Sequence, residues 1–212
     1  MCKRVGLILT ILAFLTLSSC TRVFLWLNHA HLPRPESKLD LLNYLHKKKL
    51  SVNNILFLKN ETDWLKLGKY NADIICFNKD QNYYWHRDST SCNAPTFLYC
   101  ENICQTEIPT ERVNSNFGLD SLLKLTEDFN GNAPLRTDAD YTVFIGWSKW
   151  SGKLNGDHIK VWDETLEKAG CKVKVYKLCL DPLKEWGPST FTISKKFHSN
   201  RRNKKGEVIK RS

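Results

Sequence analysis

The feature that most constrains the fold is a strand, a tight turn and a helix that follow one another between residues 141 and 169. Residues 141–146 form a short apolar run of β-branched and aromatic side chains, which is typical of a buried strand. Apolar residues then recur at helical spacing from Ile159 to Ala169, and residues 172–178 alternate between polar and apolar side chains as in a half-buried strand. This order of elements predicts an α/β protein.

Two tryptophans and a four-residue turn join the strand to the helix. In order, these residues are Trp147, Ser148, Lys149, Trp150, Ser151, Gly152, Lys153 and Leu154. A strand that runs into W-x-x-W and a short turn at a helix N-terminus resembles the active-site corner of the thioredoxin family, where the turn is Cys-x-x-Cys. In this chain Ser151 and Leu154 occupy the two cysteine positions, so the resemblance implies a degenerate active-site turn at residues 150–154.

The resemblance extends toward the C-terminus. Pro188 precedes a predicted strand at 191–193 and looks like the cis-proline that faces the active-site turn in thioredoxins. Residues 204–209 resemble the returning strand of the hairpin that follows it. The resemblance therefore implies a thioredoxin-like central mixed sheet flanked by helices. It places a thioredoxin-like half at 136–212, preceded by an N-terminal α/β region at 36–135.

The absent sulfurs limit the chemistry that such a corner can perform. A thioredoxin depends on a cysteine whose pKa is lowered at a helix N-terminus, whereas a serine hydroxyl is not ionised at neutral pH and forms no mixed disulfide. No base is recognisable beside Ser151, and this corner is not a nucleophile elbow, so a hydrolase is not favoured. What the resemblance leaves is a groove made of an exposed Trp147 or Trp150, the helix amides and Pro188, a surface that binds extended peptides in the family.

The N-terminal residues have the pattern of an export signal. Two basic residues precede an uncharged, mostly apolar run at 5–17, long enough for a signal peptide and short for a membrane span. The run ends in L-S-S-C, which resembles the bacterial lipobox and implies a signal peptide at 1–19 and lipidation of Cys20. An uncleaved anchor over residues 5–27 is the alternative. Thr21 rather than Asp after the cysteine resembles outer-membrane sorting toward the periplasm, in preference to inner-membrane retention, in a Gram-negative envelope.

Between the lipid site and the thioredoxin-like half, the chain alternates helical and strand patterns. We expect residues 20–35 to be a tether, because Pro33 and Pro35 oppose regular structure. We expect helices at 36–50, with Leu39, Leu42 and Leu45 facing the core, after Asn60 up to Gly68, and at 117–129. We expect strands at 54–58 and 73–77, with 83–86 as the hairpin partner of the second.

Export changes how the cysteines are interpreted. Of the eight cysteines, one lies in the predicted signal peptide and one at the predicted lipid site, which leaves an even number in an oxidising compartment and favours disulfides. Cys171 and Cys179 lie at opposite ends of one predicted strand, too far apart to bond to each other. Each therefore needs another partner or remains a buried thiol.

Three cysteines cluster in the N-terminal region. Cys100 and Cys104 are four residues apart and on a helix would share a face within disulfide range, and Cys92 lies upstream. A structural disulfide, a redox-active pair and a metal site completed by His86 are the three interpretations. The spacing matches none of the common zinc motifs, so we expect a disulfide and no metal or other cofactor.

The strong positive charge is unevenly distributed. The net charge is +10, but residues 195–212 hold eight basic residues and one acidic residue. The sequence pI of about 9.2 therefore describes one end of the chain and not a basic face, and we expect no nucleic-acid partner.

Together these features predict a non-catalytic, thioredoxin-like lipoprotein of the bacterial cell envelope. Its contact with the membrane would be the lipid anchor, and its partner another envelope protein or peptide that it binds or scaffolds. A thiol–disulfide oxidoreductase that uses Cys100 and Cys104, and a metal-binding envelope protein, are the alternatives.

Overall fold

The computed structural model describes residues 27–68, 73–80, 83–84, 94–105 and 118–187. We number five α-helices in these ranges: α1 (Lys38–Lys47), α2 (Glu61–Leu67), α3 (Ala94–Glu101), α4 (Leu119–Leu125) and α5 (Lys153–Glu167). The strands are β1 (Ile55–Leu58), β2 (Ile74–Asn78), β3 (Tyr83–Tyr84), β4 (Thr126–Glu127), β5 (Tyr141–Trp147) and β6 (Val173–Cys179). In this part of the chain, no helix combines the length and the apolar character needed to cross a bilayer.

The strands form one mixed sheet in the order β3-β2-β5-β6-β1-β4. Strand β5 pairs in parallel with β6, and β6 in parallel with β1. Strand β2 runs antiparallel to β5, and the two-residue strands β3 and β4 are antiparallel edges. The predicted mixed sheet with flanking helices is therefore confirmed, and strands from the 36–135 region share it with strands from the 136–212 half.

Helices cover both faces of the sheet. Leu41 and Leu45 of α1 pack on one face together with Trp162 of α5 and part of α3. Helices α2 and α4 cover the other face, where Trp64 and Leu122 are buried. Because helices cover both faces of the sheet, we expect functional side chains at the ends of its strands.

The expectation that β6 is exposed on one face is wrong. The strand is buried continuously from Val175 to Cys179, since helices pack on both of its sides. Lys177 is only 3% exposed, and its ammonium group forms an ion pair with Asp163 of α5 at 2.8 Å. The polar residue that suggested a solvated face is thus a buried and paired cation.

Several local signals are confirmed and others are shifted. The side chain of Asn60 caps α2 by accepting a hydrogen bond from the amide of Asp63, and Gly68 follows the helix as its C-cap. Helix α1 is shorter than expected and presents Leu41 with Leu45 to the core, whereas Leu39 is 59% exposed. The helix expected at 117–129 ends at residue 125, because residues 126–127 pair with β1 as β4.

The C-terminal hairpin that the thioredoxin resemblance implies lies outside the described residues, as does Pro188. Within the described sheet, β5 pairs with β6 on one side and with β2 on the other. An additional strand therefore has no free edge on β5. The position next to β5 is taken by the 74–84 hairpin, which precedes β5 in the chain.

One disulfide joins Cys104 to Cys171. The expected pairing of Cys100 with Cys104 is wrong, because α3 ends at residue 101 and the helical spacing on which that pairing depended does not reach Cys104. Cys100 instead faces the core as a free thiol. The bond ties the end of α3 to the loop before β6, and Cys92 lies outside the described residues.

This disulfide should contribute strongly to stability, because it closes a long loop. For a sequence separation of 67 residues, the loss of unfolded-state entropy corresponds to about 4 kcal/mol. We expect the double variant Cys104→Ala/Cys171→Ala to have a free energy of unfolding about 2–4 kcal/mol below that of the oxidised protein in urea titrations. Addition of reductant should leave the urea unfolding curve of the double variant unchanged. An oxidised protein whose unfolding curve is unchanged by complete reduction of the bond would contradict this role.

Candidate functional site

The candidate site lies where β5 and β6 end. Trp147 and Cys179 are the last residues of these parallel strands, and they pair with each other. We call the two loops that follow, residues 148–153 and 180–184, the corner. The carboxyl ends of neighbouring parallel strands are the usual place for ligands in open α/β sheets.

The first loop of the corner is held closed by its own residues. Ser148 and Ser151 are both buried, and their hydroxyl oxygens are 2.8 Å apart, within hydrogen-bond distance. Gly152 follows with φ 61° and ψ −127°, a conformation that residues with a side chain rarely adopt. Helix α5 begins at the next residue. The hydroxyl group of Ser151, at the position of the first cysteine in the thioredoxin resemblance, is thus buried and within hydrogen-bond distance of another serine.

Of the two tryptophans, either of which the resemblance allowed at the surface, Trp147 is buried. Trp147 is 0% exposed, and its ring stacks on that of Tyr44 with centroids 6.4 Å apart. The hydroxyl of Tyr44 donates to the carbonyl oxygen of Gly152 at 3.2 Å. Helix α1 therefore covers the site on this side, and only Trp150 of the two tryptophans is partly accessible.

An N-terminal segment lies across the corner. We call residues 28–36 the strap. The carbonyl oxygen of Asn28 accepts a hydrogen bond from the amide of Lys153 at 2.8 Å, and the amide of His31 donates to the carbonyl oxygen of Trp150 at 2.8 Å. A β-carbon on Gly152 would overlap the backbone of Asn28 and His29. Glycine therefore permits both the turn and the close approach of the strap.

The other end of the strap binds the second loop. The amide of Glu36 donates to the carbonyl oxygen of Pro182 at 2.9 Å, and the amide of Lys184 donates to the carbonyl oxygen of Glu36 at 2.9 Å. The carboxylate of Glu36 lies 2.7 Å from the ammonium group of Lys149. The part of the expected 20–35 tether that the structure describes is therefore not a free linker but lies against the corner.

A buried carboxyl group connects the two loops. Asp181 is 1% exposed, and its Oδ2 accepts a hydrogen bond from the amide of Lys149 at 2.6 Å. The thiol of Cys179 lies 3.7 Å from the same oxygen, and Oδ1 has no hydrogen-bond partner among the described residues. Burial raises the pKa of Asp181 to about 7; the bond from Lys149 opposes this shift and the negative charge of Glu36 adds to it.

The free thiols of the described residues are poor nucleophiles. Cys76, Cys100 and Cys179 are all buried. Burial raises the pKa of Cys76 and of Cys100 to about 12, and it raises the pKa of Cys179 well above its usual value, with the neighbouring Asp181 adding to the effect. In the same part of the chain, no group of three or more His, Cys, Asp or Glu side chains is placed to bind a metal. Cys92 and His86, the other members of the hypothetical metal site, lie outside it.

The structure brings together part of the predicted site. Trp150, Ser151, Gly152 and Lys153 form the first loop of the corner and the start of α5, and Leu154 follows in the first turn of the helix. Cys20 and Pro188 lie outside the described residues.

Sequence reasoning missed the residues that reach the corner from elsewhere. Asp181 had one usable signal, since it follows the end of a predicted strand, where functional side chains of parallel sheets collect. No comparable signal exists in the sequence for three other residues, because each contacts residues more than a hundred positions away. These residues are Asn28, Glu36 and Tyr44.

No protein-family model matches the chain, and no curated protein or solved structure is significantly similar to it. The geometry and chemistry of the corner therefore carry the functional proposal.

Asp181 should make stability depend on pH. Its pKa is raised from 3.8 to about 7 in the folded protein, so between these values the folded state holds a proton that the unfolded state has lost. The stability from this proton is fully present below about pH 4 and is lost as the pH rises to about 7. Asp181→Asn cannot ionise but keeps an oxygen that can accept from Lys149.

We expect the free energy of unfolding of the wild type to fall relative to that of Asp181→Asn by about 1.4 kcal/mol per pH unit across this window. Urea titrations at several pH values measure the two slopes. Asp138→Asn, which removes an exposed carboxyl group, is the control and should follow the wild type. Parallel curves for the wild type and Asp181→Asn would show that Asp181 does not titrate in this range.

Proposed function

We propose that this chain is a non-catalytic binding or scaffolding module with a thioredoxin-like corner, attached by a lipid to the bacterial cell envelope. The observation that carries the proposal is that the corner holds a stretch of backbone, the strap, that belongs to no helix, and offers it no reactive group. Backbone amides and carbonyls of both loops contact the strap, as they would contact a bound peptide. The corner is therefore suited to binding without chemistry.

The side chains of the corner support the absence of catalysis. Ser151 is 2% exposed, and its hydroxyl oxygen lies within hydrogen-bond distance of that of Ser148. The amide of Lys153, which would stabilise an anion at the start of α5, is bonded to the strap. Cys104 is bonded to Cys171 and not to Cys100, so the oxidoreductase alternative loses its working pair.

The thioredoxin-like part of the proposal is supported by the order of elements around the corner. A central strand leads through the turn into α5, which returns to a parallel neighbouring strand, as the resemblance requires. The antiparallel hairpin on the other side of β5 comes from residues upstream of the corner, which departs from the implied connectivity. The proposal accordingly depends on the corner more than on the order of the whole chain.

The lipobox-like residues support attachment to the envelope. Asn28 lies eight positions after Cys20, and an extended chain spans at most about 3.5 Å per position, or about 28 Å in all. A lipid on Cys20 would therefore hold the corner close to the membrane surface. Stable attachment needs more than one acyl chain, as a lipidated N-terminal cysteine would carry.

Thiol reactivity tests the non-catalytic part of the proposal. A thiol with a pKa of about 12 is ionised to about one part in 10⁵ at pH 7, so alkylation and disulfide exchange should be very slow. We expect iodoacetamide to leave Cys76, Cys100 and Cys179 unmodified until denaturant is added, as read by mass spectrometry. The protein should also fail to accelerate the reduction of insulin by dithiothreitol, with a thioredoxin as positive control. Rapid labelling of Cys100 or Cys179 together with insulin reduction would favour an oxidoreductase.

The mass of the N-terminal peptide, from protein produced with its full sequence in a Gram-negative host, tests attachment. A chain that begins at an acylated Cys20 supports the lipid anchor. An unmodified Cys20 still joined to the preceding residues contradicts it.

A further inference from the structure

We infer that the strap is a replaceable ligand of the corner, and that the corner takes in its place a proline-containing peptide of a partner protein that follows the same backbone path and has a carboxylate at the position of Glu36. This inference rests on the proposed binding function and adds two properties to it, the chemistry of the partner and the regulation of the site. The strap is then both the template for the partner and its competitor.

The contacts of the strap are those of a docked peptide. At its first end they are one carbonyl oxygen, from Asn28, and one amide, from His31, bonded to the backbone of the first loop. At its second end, both backbone groups of Glu36 bond to the second loop, and Glu36 forms a parallel bridge with Leu183. These bonds are made by main-chain groups, so a peptide that follows the same backbone path, with a turn at the positions of Asn28 and His29, can form them with other side chains.

Two features would select among peptides. The ammonium group of Lys149 lies 2.7 Å from the carboxylate of Glu36, and both side chains are largely buried, with 29% and 13% of their surface exposed. A peptide without a carboxylate there would leave Lys149 half-buried without this partner. Pro33 and Pro35 lie between the two anchored ends, where they restrict the chain to extended conformations and reduce the ordering cost of binding.

The position of the strap outside the core is consistent with its release from the corner. None of residues 28–36, all of which the structure describes, belongs to the buried core, and Arg34 is exposed. Because no strap residue belongs to the core clusters between the helices and the sheet, the strap can leave without removing a core side chain. Being part of the same chain, it competes at an effective concentration of about millimolar, so a partner has to be tight or abundant to displace it.

Glu36 offers graded ways to weaken the strap in the full chain. Glu36→Pro removes both the carboxylate and the amide that donates to Pro182, whereas Glu36→Gln removes only the charge. Arg34→Gln changes an exposed charge on the same segment and serves as the matched control. The probe is a fluorescein-labelled peptide with the sequence of residues 27–38, LNHAHLPRPESK, and its binding is followed by fluorescence anisotropy.

We expect the peptide to bind Glu36→Pro about tenfold more tightly than it binds the wild type, because the competing strap is weakened. Glu36→Gln should shift affinity in the same direction by less, and Arg34→Gln should match the wild type. A peptide with glutamine in place of its glutamate should bind Glu36→Pro about tenfold more weakly than the original peptide does. Adding Lys149→Met to Glu36→Pro should abolish that difference.

The contrary results separate the inference from the proposed function. Equal affinity of the peptide for the wild type and for both Glu36 variants means that the strap does not compete, which overturns the inference and leaves the corner as a binding site. Equal affinity for the glutamate and glutamine peptides overturns the assigned partner chemistry. No binding to either Glu36 variant, with melting temperatures that show both variants to be folded, overturns the inference and the binding function together.

Discussion

The bond between the carbonyl oxygen of Asn28 and the amide of Lys153 is the contact on which the corner depends. The first amides of a helix have no acceptor within the helix and need one from elsewhere. Here the chain supplies it from 125 residues upstream, across a glycine that leaves room for a second backbone. The amide of Lys153, the first residue of α5, is thereby bonded to peptide backbone, and the N-cap residue Gly152 supplies no side-chain cap.

From this contact a connected set of bonds reaches the second loop. The strap passes from Asn28 to Glu36, Glu36 binds Lys149, and the amide of Lys149 binds Asp181. The two loops after β5 and β6 are thus held together twice, once through the strap and once through a buried carboxyl group. This arrangement gives the corner a definite shape for a segment of backbone, while Ser148, Ser151 and Cys179 are buried. The proposed binding function depends on these two properties.

Local patterns predicted the elements that position the corner. The apolar run of β5, the helical spacing of Ile159, Trp162 and Leu166, and the cap of Asn60 depend on neighbours within a few residues, so the sequence alone reveals them. The alternation of β6 predicted a strand but the wrong exposure, because it cannot show that Asp163 would neutralise Lys177 from a helix above the sheet.

The contacts that close the corner were beyond sequence reasoning. The family resemblance did not decide which of Trp147 and Trp150 is accessible, and Trp147 is buried in contacts with distant residues such as Tyr44. The Cys104–Cys171 bond joins segments whose proximity is set by packing, and neither cysteine spacing nor periodicity reports on that. The same holds for the strap, whose prolines were the basis for predicting a segment without regular structure but carried no information on where it lies.

Hydrogen exchange at the amide of Lys153, measured by NMR on the full chain, tests the central claim most directly. In the first turn of α5 this amide has no acceptor within the helix, so its protection reports on the bond to Asn28. The account predicts exchange that is slowed well below the rate of an unstructured peptide and that returns toward that rate when Glu36→Pro weakens the strap. Exchange of Lys153 in the wild type at the rate of an unstructured peptide would show that the strap does not occupy the corner in solution.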